Sequence, residues 1–258
     1  MRRLRSLPAA ALSCLLCATC IVPFLLVLLM SLRSSDGTLT LSHYYQVLLG
    51  QSSYLVRFWK SVGLSALIAL GQLVLSALAA FGFAKYSFRG KHALFFALIV
   101  LMILPVQVTL IPNYIVLDRL SLLNSYASLI LPAIILPLGT FLLTHSFRSI
   151  PNNVIEAARL DGCRLPTLLV HVVLPMSRNA IVSTFLLSFL DAWNMVEQPI
   201  TYLQRFTDYP LAVALATVSP TDPSVMLSAC VLVTLPPLLL FALFNRELTE
   251  GIARGGES

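Results

Sequence analysis

The feature that most constrains this chain is a set of six long apolar runs, at about residues 8–32, 62–84, 93–112, 126–146, 177–196 and 225–244. A hydrocarbon core about 30 Å thick is crossed by about 20 apolar residues in helical form. Backbone N–H and C=O groups find no water there, so a spanning segment has to close its own hydrogen bonds as a helix or join a closed barrel. The short alternating segments that write a barrel are not seen. Composition points the same way: 58% of the residues are hydrophobic and 11% are charged, against about 25% charged in soluble domains. That apolar surplus exceeds what the core of a soluble domain of this length can hide. The expected fold is an all-α polytopic membrane bundle of about six helices. It is read as one transmembrane domain over residues 1–258, with a first helix at about 8–32 and a core bundle at about 60–246.

The formal net charge is +6, and its distribution matters more than its size. Lys and Arg lie between the apolar runs, which favours a membrane over nucleic acid as the reason for them. One side of the membrane would receive the N-terminus, the second and fourth connections and the C-terminal tail. That side holds twelve Lys and Arg, including Arg2, Arg3, Arg5, Lys85, Arg148 and Arg159, and the other side holds five. Positive loops stay in the cytoplasm, so both termini are expected inside. The basic start followed by apolar residues resembles a secretory signal, but its apolar part is longer than the 7–15 residues of one and is read as a retained first helix. On the outer side, the connection at about 33–60 contains Asp36, Gly37 and His43. A short surface helix is expected there through Tyr44, Tyr45, Val47, Leu48 and Leu49.

Cys14, Cys17 and Cys20 recur at helical spacing in the first run, Cys230 sits in the last and Cys163 in a polar loop. No His or carboxylate accompanies the first three, so they read as small packing residues and not as metal ligands. His92, His145 and His171 fall near the ends of runs with no second ligand at metal spacing, so no metal is expected.

The stretch FRSIPNNVIEAARLDGCRLPTLLVHVVLPMSR, at 147–178, is too charged to span, yet it carries helix punctuation. Asn153 is a good N-cap, which places Glu156 at the third helical position in a variant capping box that also suits the dipole. Gly162 can end the helix in the left-handed conformation. A helix over 154–161 is therefore expected. Ala157 and Ala158 keep it narrow, Val154, Ile155 and Leu160 give apolar contact, and Glu156, Arg159 and Asp161 give a polar rim. Pro166 is expected to start a second helix that runs through Leu174 and Pro175 into the fifth span.

These residues carry a family resemblance. The string EAARLDGCRLPTLLVHVVLP is similar to the EAA loop of the membrane subunits of bacterial ABC importers. Glu156, Ala157, Ala158, Gly162, Leu174 and Pro175 fit its spacing, with Val172 in an Ile position. Asp161 before Gly162, the segments ALAAFGFAKYSFRGK and LPVQVTLIPNYIVLDRLSLLNS, and Ala192-Trp193-Asn194 resemble the carbohydrate, maltose-type branch. The resemblance covers about residue 60 to the C-terminus. It implies a permease subunit in a bacterial inner membrane. It further implies a loop at about 148–178 that serves as a coupling helix between the fourth and fifth spans, contacting the ATPase through Glu156, Ala157, Ala158, Arg159, Asp161, Gly162, Leu174 and Pro175. The implied partners are a second permease, an ABC ATPase pair that uses ATP and Mg, and an extracytoplasmic solute-binding protein. The implied cargo is a sugar, an oligosaccharide or a related polyol.

Asp191 lies well inside the fifth run, where a carboxylate is costly and faces protein or water. Asn194 and Glu197 follow at steps of three, on nearly the same face. With Gln198, Trp193 as an aromatic platform, and Gln107, they would line a path for a hydroxyl-rich solute, and Gln72 is a further interior polar candidate. The competing role for Asp191 and Glu197 is pairing with a partner subunit. After Trp193-Asn194 the chain reads Met195-Val196-Glu197-Gln198-Pro199, where the carbohydrate branch has an acidic residue and Phe, so the cargo is left open. Neither H-E-x-x-H, G-x-S-x-G nor a phosphate-binding G-x-x-x-x-G-K-[ST] occurs, which disfavours a membrane enzyme and catalytic residues. A secondary transporter or channel uncoupled from ATP would share the bundle. Such proteins often show internal repeats, which this sequence lacks.

Overall fold

A computed structural model describes residues 6–33, 38–50, 52–217 and 223–256. The expectations placed on Arg2, Arg3, Arg5, Asp36 and Gly37, and on the side chains of Cys14 and Arg254, lie outside what is described. The helices in chain order are α1 (Ser6–Leu32), α2 (Ser42–Tyr45, widening into a π turn over Gln46–Gly50), α3 (Ser52–Lys85), α4 (Lys91–Ile103), α5 (Val106–Arg119), α6 (Ala127–Ile134) and α7 (Pro137–Arg148). There follow α8 (Asn152–Leu160), α9 (Leu165–Leu168), α10 (Leu174–Met176), α11 (Arg178–Trp193), α12 (Glu197–Tyr202), α13 (Leu211–Thr217) and α14 (Pro223–Gly256). Among the described residues the extended pairing is a lone antiparallel bridge, Arg33 to Leu39. The fold is an all-α polytopic membrane bundle.

Among the described residues, four stretches are long and apolar enough to cross a membrane: Leu15–Leu32, Tyr54–Lys85, Ala127–Arg148 and Pro223–Glu247. Two bent helix pairs pass the same length and composition test when each is taken as one unit. Residues 93–112, expected as a single span, are instead parts of α4 and α5, which meet at 104°. The cause is local. Leu104 is forced out of the helical region by Pro105 behind it and adopts φ −65°, ψ 127°. The fifth run likewise begins earlier than expected, because Leu165–Met176 meets α11 at 90°. Pro175 has no N–H to give the carbonyl of His171 and its ring crowds that carbonyl. The backbone before it widens into a π turn over Leu169–Val173, and the helix then breaks at Ser177, φ −110°. In α14, Phe244 leaves helical geometry (φ −124°) at the residue where the last apolar run ends.

The chain forms two compact units. The first comprises residues 1–56 and 215–235. There Ser31, fully buried, shares a 2.6 Å hydrogen bond with the hydroxyl of Tyr44, and its carbonyl accepts from Ser228 Oγ at 3.2 Å. His43 Nδ1 lies 3.3 Å from the same carbonyl. The expected surface helix is thus present as α2 and its π turn, and it is stapled to the end of α1 by buried polar groups. Cys17 and Cys20, expected as packing residues, lie exposed on α1 with free thiols, because α1 buries little of its surface within this chain.

The second unit, residues 57–214 and 236–258, carries the core. Small residues recur on the buried face of α3 at Ser65, Ala69, Ser76 and Ala80, and on α11 at Ala180, Thr184 and Ser188. Lipid gives helices no hydrophobic reason to associate, so close approach through small residues supplies the dispersion contact. Gly139 of α7 is the tightest point. A Cβ there would sit 2.5 Å from Ser76 Oγ and 3.0 Å from both Ser76 Cβ and Thr184 Cγ2. Gly139→Val is therefore expected to cost about 1–3 kcal/mol, as overpacking does, read as a lower thermal midpoint of the detergent-solubilised protein. An unchanged midpoint would contradict the close crossing.

Candidate functional site

The polar segment between α7 and α11 folds much as its sequence dictates, with one correction. Asn153 is not the N-cap of α8. Pro151, extended at φ −61°, ψ 138°, takes that place, and the helix starts at Asn152. Proline presets the entry, and the Asn153 carboxamide instead accepts from the Val154 N–H at 2.9 Å. Glu156 therefore closes no capping box and is exposed. The C-terminus follows the expectation. Gly162 has φ +82°. Cys163 N–H reaches the Ala158 carbonyl and Gly162 N–H the Arg159 carbonyl, both at 3.0 Å. This is a Schellman closure that satisfies the last carbonyls.

One face of α8 is glued down and the other is bare. Ile155 is buried in a cluster with Ala80 and Phe81 of α3, Leu143 and Phe147 of α7, and Leu168 and Val173 of the following segment. Ala158, Cys163 and Leu174 pack against the same cluster. Outward stand Glu156, Ala157, Arg159 and Asp161, with Leu160 89% exposed. Pro175 is exposed at the far end of the loop. Two neighbours that the sequence did not reveal clamp the element from α3. Lys85 Nζ donates to the Ile150 carbonyl, and to Asn152 Oδ1 at 3.1 Å. Arg159 Nη2 lies 3.3 Å from Tyr86 Oη, with its guanidinium carbon 5.6 Å from the centre of that ring. Arg159 thus serves the clamp as well as the rim. The only hint of this in the sequence is Lys85-Tyr86 at the end of the third helix, a pattern that fixes no partner.

At the other end of the unit, α3, α5, α6, α11 and α12, with the ends of α4 and α7, line an open cavity of about 720 Å³. Asp191, Asn194, Glu197 and Gln198 line it, as do Gln72, Asn113 and Ser188. Gln107 is not on the wall, but its Nε2 donates to Glu197 Oε1 at 2.7 Å and fixes that carboxylate. Gln72 is only 2% exposed and donates at 3.1 Å to the carbonyl of Leu136, at the break between α6 and α7. Its polar end thus repairs an interrupted helix. Trp193 does not serve as a platform in this cavity. It is 3% exposed, stacked on Phe189 at 5.9 Å and edge-on to Phe58 at 5.8 Å. A one-residue step along α11 turns Trp193 about 100° from Asn194, which is why adjacency in sequence did not bring the two together. Asn113 and Ser188 were missed because a single amide or hydroxyl inside an apolar run carries no distinguishing signal.

Comparison with known proteins follows this geometry. The profile of the family described as "Binding-protein-dependent transport system inner membrane component" matches residues 72–252. The arabinooligosaccharides transport system permease protein AraQ of Halalkalibacterium halodurans is 27% identical over 223 residues, covering 85% of this chain and 80% of that one. The sn-glycerol-3-phosphate transport system permease protein UgpE of Shigella flexneri is 27% identical over 207 residues, covering 76% and 73%. A chain in the crystal structure of a bacterial ABC transporter involved in the import of the acidic polysaccharide alginate superposes with a TM-score of 0.82 at 18% identity, covering 95% and 96%.

The aromatic packing of Trp193 gives a prediction. Trp193→Ala is expected to cost about 3–5 kcal/mol, as large core truncations do, and to lower the unfolding midpoint in detergent. Asn194→Ala, at an exposed position on the cavity wall, is expected to stay within about 0.5 kcal/mol of the parent.

Proposed function

The chain belongs to the binding-protein-dependent transport system inner membrane component family, a multi-pass permease subunit of an ABC importer, and from that premise we propose how it works. It sits in a bacterial plasma membrane with both termini in the cytoplasm, the side to which the Lys and Arg count assigns α8. There α8 acts as a coupling helix for a separate ATPase pair, which binds ATP and Mg. A second permease completes the translocation path, and an extracytoplasmic binding protein delivers a sugar, oligosaccharide or related polyol. The arabino-oligosaccharide and glycerol phosphate relatives support that cargo class.

The observation that carries the coupling role is the two-sided character of α8. Its inner face, through Ile155 and Ala158, is continuous with the core formed by α3, α7 and the segment that leads into α11. Its outer face ends in Leu160, 89% exposed on an otherwise polar helix. A large aliphatic group held in water on a capped, clamped element suits insertion into a partner's groove, where burial of such a side chain yields about 1.5–3 kcal/mol. Displacement of α8 by the partner would pass into α3 through Lys85 and Tyr86, and into α11 through the packed Leu168 and Val173.

Leu160→Asp tests this. The position is solvated, so the fold and membrane insertion are expected to be unchanged, while the ATPase no longer co-purifies or its solute-stimulated activity falls at least about tenfold. Full stimulation in this variant would refute docking through this face. Gly162→Ala is expected to act differently. It forces a Cβ into left-handed backbone at a cost of about 1–2 kcal/mol and should loosen α8, seen as faster proteolysis in the 147–178 segment.

A further inference from the structure

The cavity between α3, α5, α6, α11 and α12 has a chemical character that discriminates among cargoes. Its charged lining residues are Asp191 and Glu197, both carboxylates, and no Lys, Arg or His is among the described residues of its wall. Two of its polar atoms have no hydrogen-bond partner among the described residues: Ser188 Oγ, on a residue 2% exposed, and Glu197 Oε2. Buried polar atoms are nearly always bonded, so these two mark a polar deficit just behind the wall, although neither atom is itself open to the cavity. Gln107 holds the other oxygen of Glu197 at 2.7 Å, which fixes where the free oxygen lies. Asn194 and Gln198 add amides to the same wall.

Resting on the importer reading, we infer that this wall selects a neutral, polyhydroxylated solute and rejects anionic ones, whether phosphate esters or uronates. An ionised carboxylate only accepts hydrogen bonds, and a sugar hydroxyl is a donor that matches it, while the amides of Asn194 and Gln198 can meet ring and hydroxyl oxygens. A phosphate or uronate brings more acceptors and a like charge. Like charges in a concavity with apolar walls are felt strongly, because low-dielectric walls focus the field and change local ion concentration by about tenfold or more. The chain thus differs in expected cargo charge from the glycerol phosphate permease it resembles in sequence and from the alginate importer it resembles in fold.

The charge of the cavity can be read without knowing the solute. In the full chain in membranes, with the native cysteines replaced, Asn194→Cys places a thiol on the wall. Its modification rates are compared for a trimethylammonium and a sulfonate methanethiosulfonate reagent, relative to the same ratio for 2-mercaptoethanol. The expected preference for the cation is at least about tenfold. It should collapse to the solution value in Asp191→Asn/Glu197→Gln. Asp191→Asn alone, at an exposed position, should reduce it at least about threefold if the double variant does not fold. A preference equal to that of the free thiol would overturn the inference. In the assembled transporter, ATP-driven uptake of a neutral pentose trisaccharide should exceed that of glycerol 3-phosphate at least about tenfold, and equal rates would overturn charge selection while leaving the importer reading intact. Uptake that persists unchanged without ATP would overturn the importer reading and leave the thiol ratio untouched.

Discussion

Everything in this molecule depends on the rule that a backbone polar group inside lipid must find a partner within the protein. Straight helices satisfy it without help, so the informative places are those where helices stop. The chain interrupts its spans at Leu104–Pro105, at Ile135–Leu136 and at Ser177, and a proline sits beside each break. At the second of these a side chain adds a partner: Gln72 donates to the Leu136 carbonyl at 3.1 Å. The cavity lies beside the first two of these interruptions, with Leu104, Leu136 and Pro137 on its wall.

Much of the architecture was legible because hydrophobic run length is set by bilayer thickness. The first, second and sixth runs appear as long helices, the fourth as one stretch made of α6 and α7, and the sixth ends at Phe244 where its apolar run ends. The third and fifth were misjudged in shape because proline announces a discontinuity without giving its angle; only packing decides between a slight kink and a turn near 90°. The loop at 147–178 was readable for a different reason. Gly162 closes α8 by local hydrogen bonds that involve residues at most five apart, so its sequence alone suffices. The N-cap assignment failed at the same scale. Pro151, with its fixed φ, competes with Asn153 and wins.

The site residues divide along the same line. Those whose role is local, such as Gly162, or whose helical spacing puts them on one face, such as Asp191 and Asn194, stand where their spacing implied. Trp193 was misread because sequence adjacency was taken as shared direction, and it belongs to the stack with Phe58 and Phe189. The clamp on α8 was invisible, since Lys85 and Asn152 are 67 positions apart and Tyr86 and Arg159 are 73 apart, and each pair meets only after the helices between them have packed.

The near-contact of Gly139 with Ser76 and Thr184 bears on how such a protein can move. A methyl group added there would have to push Ser76 or Thr184 aside. Under the proposed coupling, α7 is thus set to hand a displacement to α3 and α11 by direct contact, with little give at this crossing.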